Sequence, residues 1–81
     1  MIRERINLRQ ALLEDLYDYH FANGGEAYLI EDFNEDGERR LAYLYLSEKG
    51  YVDLFIDENG ANASIRATGI EAVESGRITV H

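Results

Sequence analysis

The dipeptide Asn59-Gly60 lies between two runs of strand-forming residues, and this arrangement is the strongest short signal for a β-hairpin. Asn-Gly favours a two-residue type I′ turn, which pairs Glu58 with Ala61 and so fixes the register of both strands. On the apolar face this register pairs Ile56 with Ala63, Leu54 with Ile65 and Val52 with Ala67. On the polar face it pairs Asp53 with Arg66 and Phe55 with Ser64. Since one register gives an apolar face and an opposite-charge pair together, we predict a hairpin over residues 51–68.

A first helix is predicted from capping residues at both of its ends. Asn7-Leu-Arg-Gln10 has the pattern of an N-cap with a glutamine three residues later, and Asn23-Gly24-Gly25 supplies a stop after Ala22. The apolar face of this helix is predicted to hold Leu12, Leu16, Tyr19 and His20, with Leu13 and Tyr17 beside them. We interpret His20 as a partly buried, hydrogen-bonded residue, because no second ligand stands at metal-binding spacing from it.

A second helix is predicted at residues 35–49, with Asn34 as its N-cap and Gly50 as its end. At 100° per residue one side holds Leu41, Leu44, Tyr45 and Glu48. The opposite side holds Asp36, Arg39, Arg40, Tyr43 and Ser47. We interpret Tyr43 as an interface residue because it lies on the polar side, whereas the spacing of Tyr17, Tyr45 and Tyr51 is typical of core or boundary residues.

The remaining segments are short. Thr68-Gly-Ile-Glu71 has the pattern of a capping box and predicts a third helix that ends at Ser75-Gly76. Residues 26–33 are too few for periodicity to distinguish a strand from a helix. The tail at 77–81 is β-prone, and we expect it to fray or to pair with another chain.

The segment Tyr45-Leu-Ser-Glu-Lys-Gly-Tyr-Val52, followed by the hairpin and by Ile65-Arg-Ala-Thr-Gly-Ile-Glu71, resembles the small winged helix-turn-helix domains of bacterial, archaeal and phage regulators. The resemblance covers residues 7–76. It implies an α+β fold with three to four helices and a C-terminal β-hairpin wing, in a single domain over residues 1–81. In such domains the helix at 35–49 would enter the major groove and the hairpin would contact the neighbouring backbone. The resemblance also implies a homodimer that pairs through its terminal helices.

The charge of the chain opposes generic nucleic-acid binding. Sixteen acids face eight bases, which gives a formal charge of -8 over 81 residues. An acidic surface repels phosphate, so affinity for DNA is expected to be poor at ordinary salt. Three explanations remain open, namely adaptation to high salt, a basic protein partner, and an ordinary solvated surface with the bases concentrated in one place.

Two functions follow from these observations. The leading hypothesis is a transcriptional-regulator-like protein that binds DNA or a regulatory partner through the helix at 35–49 and the wing. Its predicted contact residues are Arg39, Arg40, Tyr43, Ser47 and Arg66. Among them, Arg40 and Arg66 would contact phosphates, and Arg39 and Tyr43 would reach the groove or the bases. The alternative is an acidic interaction module, such as a phage or virus inhibitor or nucleic-acid mimic, that binds a basic protein surface.

Other classes of function lack support in the sequence. No nucleophile stands beside a base and no glycine-rich phosphate loop occurs, so we expect neither catalysis nor a cofactor. Asp32-Phe-Asn-Glu-Asp-Gly37 matches the first half of a calcium loop, but Tyr43 occupies the position that needs a bidentate glutamate, so we expect no metal. There is no cysteine, no apolar run of membrane-spanning length and no signal-peptide pattern. We therefore expect a cytoplasmic protein without a membrane partner.

Overall fold

The computed structural model describes residues 2–76, which form an α+β fold of three helices and a three-stranded antiparallel sheet. The elements in chain order are α1 (Ile2–Ala22), β1 (Tyr28–Ile30), α2 (Gly37–Glu48), β2 (Val52–Asp57), β3 (Gly60–Ile65) and α3 (Ala67–Ser75). The predicted tail at 77–81 lies outside the described residues. Residues 26–33, which the sequence leaves open, contain the short strand β1.

The sheet has the strand order β1-β3-β2, so β3 lies at its centre and β2 at one edge. Its inner face carries the buried residues Ile30, Val52, Ala61, Ala63 and Ile65, which pack with the helices. Side chains alternate along each strand, so Leu29 and Phe55 lie on the outer face, where they are 55% and 68% exposed. The helices therefore cover only one face of the sheet, in agreement with Cα extents of 35 × 34 × 18 Å.

Helix α1 begins at Ile2, well before the predicted N-cap. Asn7 is an exposed residue inside the helix, so its predicted N-cap role is wrong. Residues 2–6 contain no glycine or proline and include good helix formers, so the helix continues through the asparagine. The predicted end is confirmed, because the chain leaves the helix after Ala22 and Gly24 takes a φ of 63°. The predicted apolar face is confirmed at its centre, where Leu12, Leu13 and Leu16 are buried.

Helix α2 begins two residues later than predicted. The N-cap is Asp36, whose carboxylate accepts a hydrogen bond from the backbone N–H of Arg39 at 3.2 Å, so the prediction of Asn34 is wrong. Residues 31–35 form turns that bring Phe33 into the core, where it is 2% exposed. The chain therefore completes these turns before the helix begins.

The face of α2 that enters the core also differs from the prediction. Its buried residues are Ala42, Tyr43 and Leu46, whereas Leu41 is 60% exposed. The prediction that Tyr43 lies on the solvent-facing polar side is therefore wrong. The ring of Tyr43 packs against Phe33 with centroids 6.4 Å apart, and this contact turns Leu41 outwards. Tyr17, Tyr45 and Tyr51 pack partly buried at the edge of the core, as predicted.

The hairpin is confirmed, but its register differs by two residues. Asp57 pairs with Gly60, and the turn consists of Glu58 and Asn59. Neither of these residues has a positive φ, so the type I′ turn is wrong. The carboxylate of Asp57 instead accepts the backbone N–H of Asn59 at 2.9 Å, which forms an Asx turn. Because the shift is an even number of residues, the inner and outer faces of the hairpin remain as predicted.

Helix α3 has no side-chain cap. Its N-cap is Arg66, and the hydroxyl of Thr68 donates to the carbonyl oxygen of Gly50, so the predicted capping box at Thr68 is wrong. This bond ties the start of α3 to the loop that follows α2. The predicted end is confirmed, because Gly76 is the C-cap with a φ of 68°.

Candidate interaction surface

The five residues predicted to contact a partner differ in their exposure, and one of them is buried. Arg40 and Arg66 are exposed, Arg39 and Ser47 are half-buried, and Tyr43 is buried. Four of them lie on α2 and one marks the start of α3. Their environments show which are available to a partner.

Tyr43 belongs to the core. It is 1% exposed, and its hydroxyl forms a hydrogen bond with Arg39. Burial raises the pKa of Tyr43 above its usual value of 10.0, and the neighbouring guanidinium offsets part of that rise. A ring enclosed to this degree has no face to offer to a base or to a partner protein.

Arg39 is already engaged within the domain. Its Nη1 lies 2.9 Å from Oδ2 of Asp32, at the edge of a cleft of about 240 Å³. The other residues of the cleft are Asp15, Leu16, Tyr19, Tyr28 and Tyr43. Partial burial alone would lower the pKa of Arg39, but the hydrogen bond with Tyr43 and the charge of Asp32 raise it overall. The guanidinium therefore stays charged and connects α2 to the turn before it.

Arg66 and Arg40, the other two arginines among the predicted contact residues, differ in their partners. Nε of Arg66 lies 3.8 Å from Oδ1 of Asp53, and both side chains are about half exposed. The predicted opposite-charge pair thus survives the change in register. Arg40 is exposed and makes no ion pair with any residue between 2 and 76.

Acids dominate the chain between the middle of α1 and the start of α2. Residues 10–38 contain nine acids and no lysine or arginine. We call this stretch the acidic segment; its acids are Glu14, Asp15, Asp18, Glu26, Glu31, Asp32, Glu35, Asp36 and Glu38. All of them except Asp32 are exposed. Tyr19 contacts Tyr28 edge to face at 5.1 Å, so α1 and β1 bring parts of this segment together.

The uncovered side of the sheet carries an apolar row between acids. Leu29 and Phe55 both pair with Asn62, so the three residues lie side by side across the strands. Asp53 and Asp57 flank Phe55 on the same side of β2. We call Leu29, Asp53, Phe55, Asp57 and Asn62 the open sheet face. An exposed aromatic residue bordered by carboxylates suits a partner that combines an apolar group with cations.

Only part of the open sheet face could be predicted from the sequence. The alternation of the hairpin places Phe55 on the polar side, which is the signal that could have identified it. Leu29 gives no such signal, because the sequence does not assign its segment to a strand. Pairing of β1 with β3 brings Leu29 next to Asn62.

Features that suggest metal binding have other roles. Asp32 pairs with Arg39, and Asp36 caps α2. Among residues 2–76, no group of three histidine or acidic side chains is placed to hold a metal ion.

His20 is half-buried, as predicted. Its Nδ1 has no hydrogen-bond partner among residues 2–76, so the predicted hydrogen bond of His20 is wrong at that atom. Within the same range, no helix has the length and apolar character needed to cross a membrane.

Comparisons with protein-family models, curated proteins and solved structures give no significant match. The function of this chain is therefore inferred from its own residues and contacts.

Proposed function

We propose that this chain is an acidic protein-interaction module that binds a basic protein surface through the open sheet face. The observation that carries this proposal is Phe55, which is 68% exposed on the uncovered side of the sheet with Asp53 and Asp57 beside it. Aromatic side chains supply much of the binding energy at protein interfaces when they enter a pocket on the partner. The carboxylate of Asp57 favours a pocket whose rim is basic, and that of Asp53 adds to this preference although it is paired with Arg66.

The overall charge supports the same class of partner. A formal charge of -8 on a chain of this size attracts cationic surfaces over a distance set by the salt concentration. The acidic segment contributes nine of the sixteen acids without a compensating lysine or arginine. We therefore expect association with a basic partner to be fast at low salt and to slow as salt is added.

A second candidate is a winged-helix regulator that binds DNA or a regulatory partner through α2 and the β2–β3 hairpin, as a monomer or a homodimer. The order of helices and strands suits that layout, and Arg40 is exposed on α2 without an ion pair in the described chain. Against it, residues 31–35 form turns where such a fold has a further helix before the recognition helix. Glu35 and Glu38 also bring negative charge to the start of α2, where phosphates would lie.

The proposed function predicts selective binding to cationic peptides. A displayed library of peptides with lysine or arginine around a random apolar position is expected to yield binders at low salt. Phe55→Ser is expected to weaken the best binder about tenfold or more, because the central aromatic anchor is lost. Phe21→Ser is the matched control, since Phe21 is 59% exposed on α1, and it is expected to leave affinity unchanged. Isothermal titration or fluorescence anisotropy measures both variants.

Two results would contradict this proposal. A library that yields no binder contradicts the proposed function. If a binder is found but Phe21→Ser weakens it as much as Phe55→Ser, the open sheet face is not the site.

The regulator candidate makes a different prediction, which a randomised DNA duplex pool tests in the same buffer. If DNA is the ligand, Arg40→Glu should weaken duplex binding about tenfold, since a phosphate contact is replaced by repulsion. Arg3→Glu on the exposed start of α1 is the matched charge control. Filter binding at low salt measures both. Absence of duplex binding by the unmodified protein rejects DNA as the ligand of this candidate.

A further inference from the structure

The helical side of the molecule contains a groove between the first half of α1 and α2, with a volume of about 420 Å³. Its apolar floor consists of Leu8, Leu41, Ala42, Leu44 and Tyr45. Leu41 is 60% exposed, and Leu8, Leu44 and Tyr45 are only partly buried. This groove is separate from the open sheet face, which lies on the other layer of the fold.

The two walls of the groove carry opposite charges. Arg5 and Arg9 line it from α1, and Glu38 and Glu48 line it from α2. Nε of Arg5 lies 3.7 Å from Oε2 of Glu38, so the walls are close at one end. At the other end the guanidinium of Arg9 lies 3.8 Å from the ring centroid of Tyr45, and Nε of Arg9 is buried without a hydrogen-bond partner in the described chain.

We propose that this groove is the interface of a homodimer, in which a second copy of the chain covers it. A two-fold axis that runs along the groove places the basic wall of each copy against the acidic wall of the other. Arg9 of one copy then meets Glu48 of the second copy, because both residues flank Tyr45. The same rotation brings the two Leu41 side chains towards the centre of the interface, away from water.

The charge pattern favours a second copy over an unrelated partner. A partner of a single charge sign would match one wall and be repelled by the other, whereas this chain supplies both signs at the required positions. The dimer would also present two open sheet faces at once. Two linked sites raise the effective affinity for a partner with two matching sites, without any new contact.

The first test is the oligomeric state of the intact chain. Sedimentation velocity over a range of protein concentrations is expected to show a monomer–dimer equilibrium. Leu41→Asp is expected to raise the dimer dissociation constant about tenfold or more, because a charge enters the centre of the interface. Leu29→Asp is the matched control: this residue is 55% exposed on the open sheet face, and the variant is expected to dimerise normally. A chain that stays monomeric at every concentration, or that loses the dimer with Leu29→Asp alone, overturns the proposal.

The second test exchanges charges across the interface. Arg9→Glu and Glu48→Arg are each expected to weaken self-association, since each variant opposes like charges across the two-fold axis. A mixture of the two variants is expected to recover a heterodimer, because each wall then meets its opposite. Circular dichroism of each variant checks that it is folded before mixing. If both variants are folded and their mixture stays monomeric, Arg9 does not pair with Glu48 across a dimer and the proposed interface is wrong.

Discussion

Replacing Tyr43 with alanine is expected to lower the free energy of unfolding by about 3–5 kcal/mol, the range for removing a large aromatic side chain from a core. The ring is 1% exposed and contacts Phe33, so its loss leaves a cavity that the surrounding residues fill only in part. Chemical denaturation followed by circular dichroism measures the change. A variant as stable as the parent protein would mean that Tyr43 is an accessible residue after all.

Tyr43→Phe separates the ring from the hydroxyl. It keeps the packing but removes the hydrogen bond with Arg39, so we expect a loss of about 1 kcal/mol at neutral pH. Burial raises the pKa of Tyr43 in the folded protein, so the folded state holds the phenol proton more tightly than the unfolded state does. This contribution to stability is complete below pH 10.0 and is lost as pH rises through the folded-state pKa. The phenylalanine variant lacks that loss, so the stability gap between the two proteins is expected to narrow in alkaline buffer. A gap that stays constant up to strongly alkaline pH contradicts this account.

Gly60→Ala is expected to cost about 2–5 kcal/mol, from two causes that act together. Gly60 has a φ of 145°, which residues other than glycine rarely adopt. A Cβ atom at this position would also lie 2.7 Å from the carbonyl oxygen of Ile30, so β1 would have to move away from β3. Thermal or urea unfolding gives the loss directly.

Gly24→Ala is the matched control for Gly60→Ala. Gly24 has a φ of 63°, but a Cβ atom added there would meet no heavy atom of residues 2–76 within 4 Å apart from its two neighbours in the chain. Its substitution is expected to cost only about 1–2 kcal/mol, from the backbone conformation alone. Equal losses for the two variants would show that the close approach of Ile30 adds nothing to the cost of a side chain at Gly60.

The position of the hairpin could be predicted from the sequence, but its register could not. The turn chemistry of Asn59-Gly60 is local, and it identifies the bend. The register depends in addition on the Asp57 carboxylate and on the carbonyl oxygen of Ile30, which approaches Gly60 from a strand thirty positions earlier in the chain. The contact with Ile30 cannot be predicted from the hairpin residues alone, because it comes from a distant part of the chain.

The prediction for the buried face of α2 is wrong for a different physical reason. Residues 41–46 are six consecutive apolar residues, so the helix is apolar all around at this point and periodicity does not select a buried side. Packing against Phe33 and α1 selects Tyr43 and Leu46 over Leu41. By contrast, the helix ends near Gly24, Gly50 and Gly76 were predictable because a left-handed residue is a local requirement.

The open sheet face and the groove between α1 and α2 also differ in how far the sequence predicts them. Alternation along the hairpin predicts that Phe55 lies on its polar face, and the burial pattern agrees. The exposure of Leu41 follows from the rotation of α2, so the groove between α1 and α2 could not be recognised before the helices were packed. The sequence likewise predicts the pairing of Asp53 with Arg66, although the contact forms in another register.

The long helix α1 has a consequence for biosynthesis. It leaves the ribosome before the elements that it packs against, which are β1, α2, β3 and α3, and the hydroxyl of Tyr17 donates to Glu74 across 57 positions at 2.9 Å. Such distant pairs impose a large loop-closure entropy before they add any stability. The nascent chain therefore exposes Leu12, Leu13 and Leu16 until α2 and the sheet have been synthesised, and α3 is the last of the described elements to become available to the core.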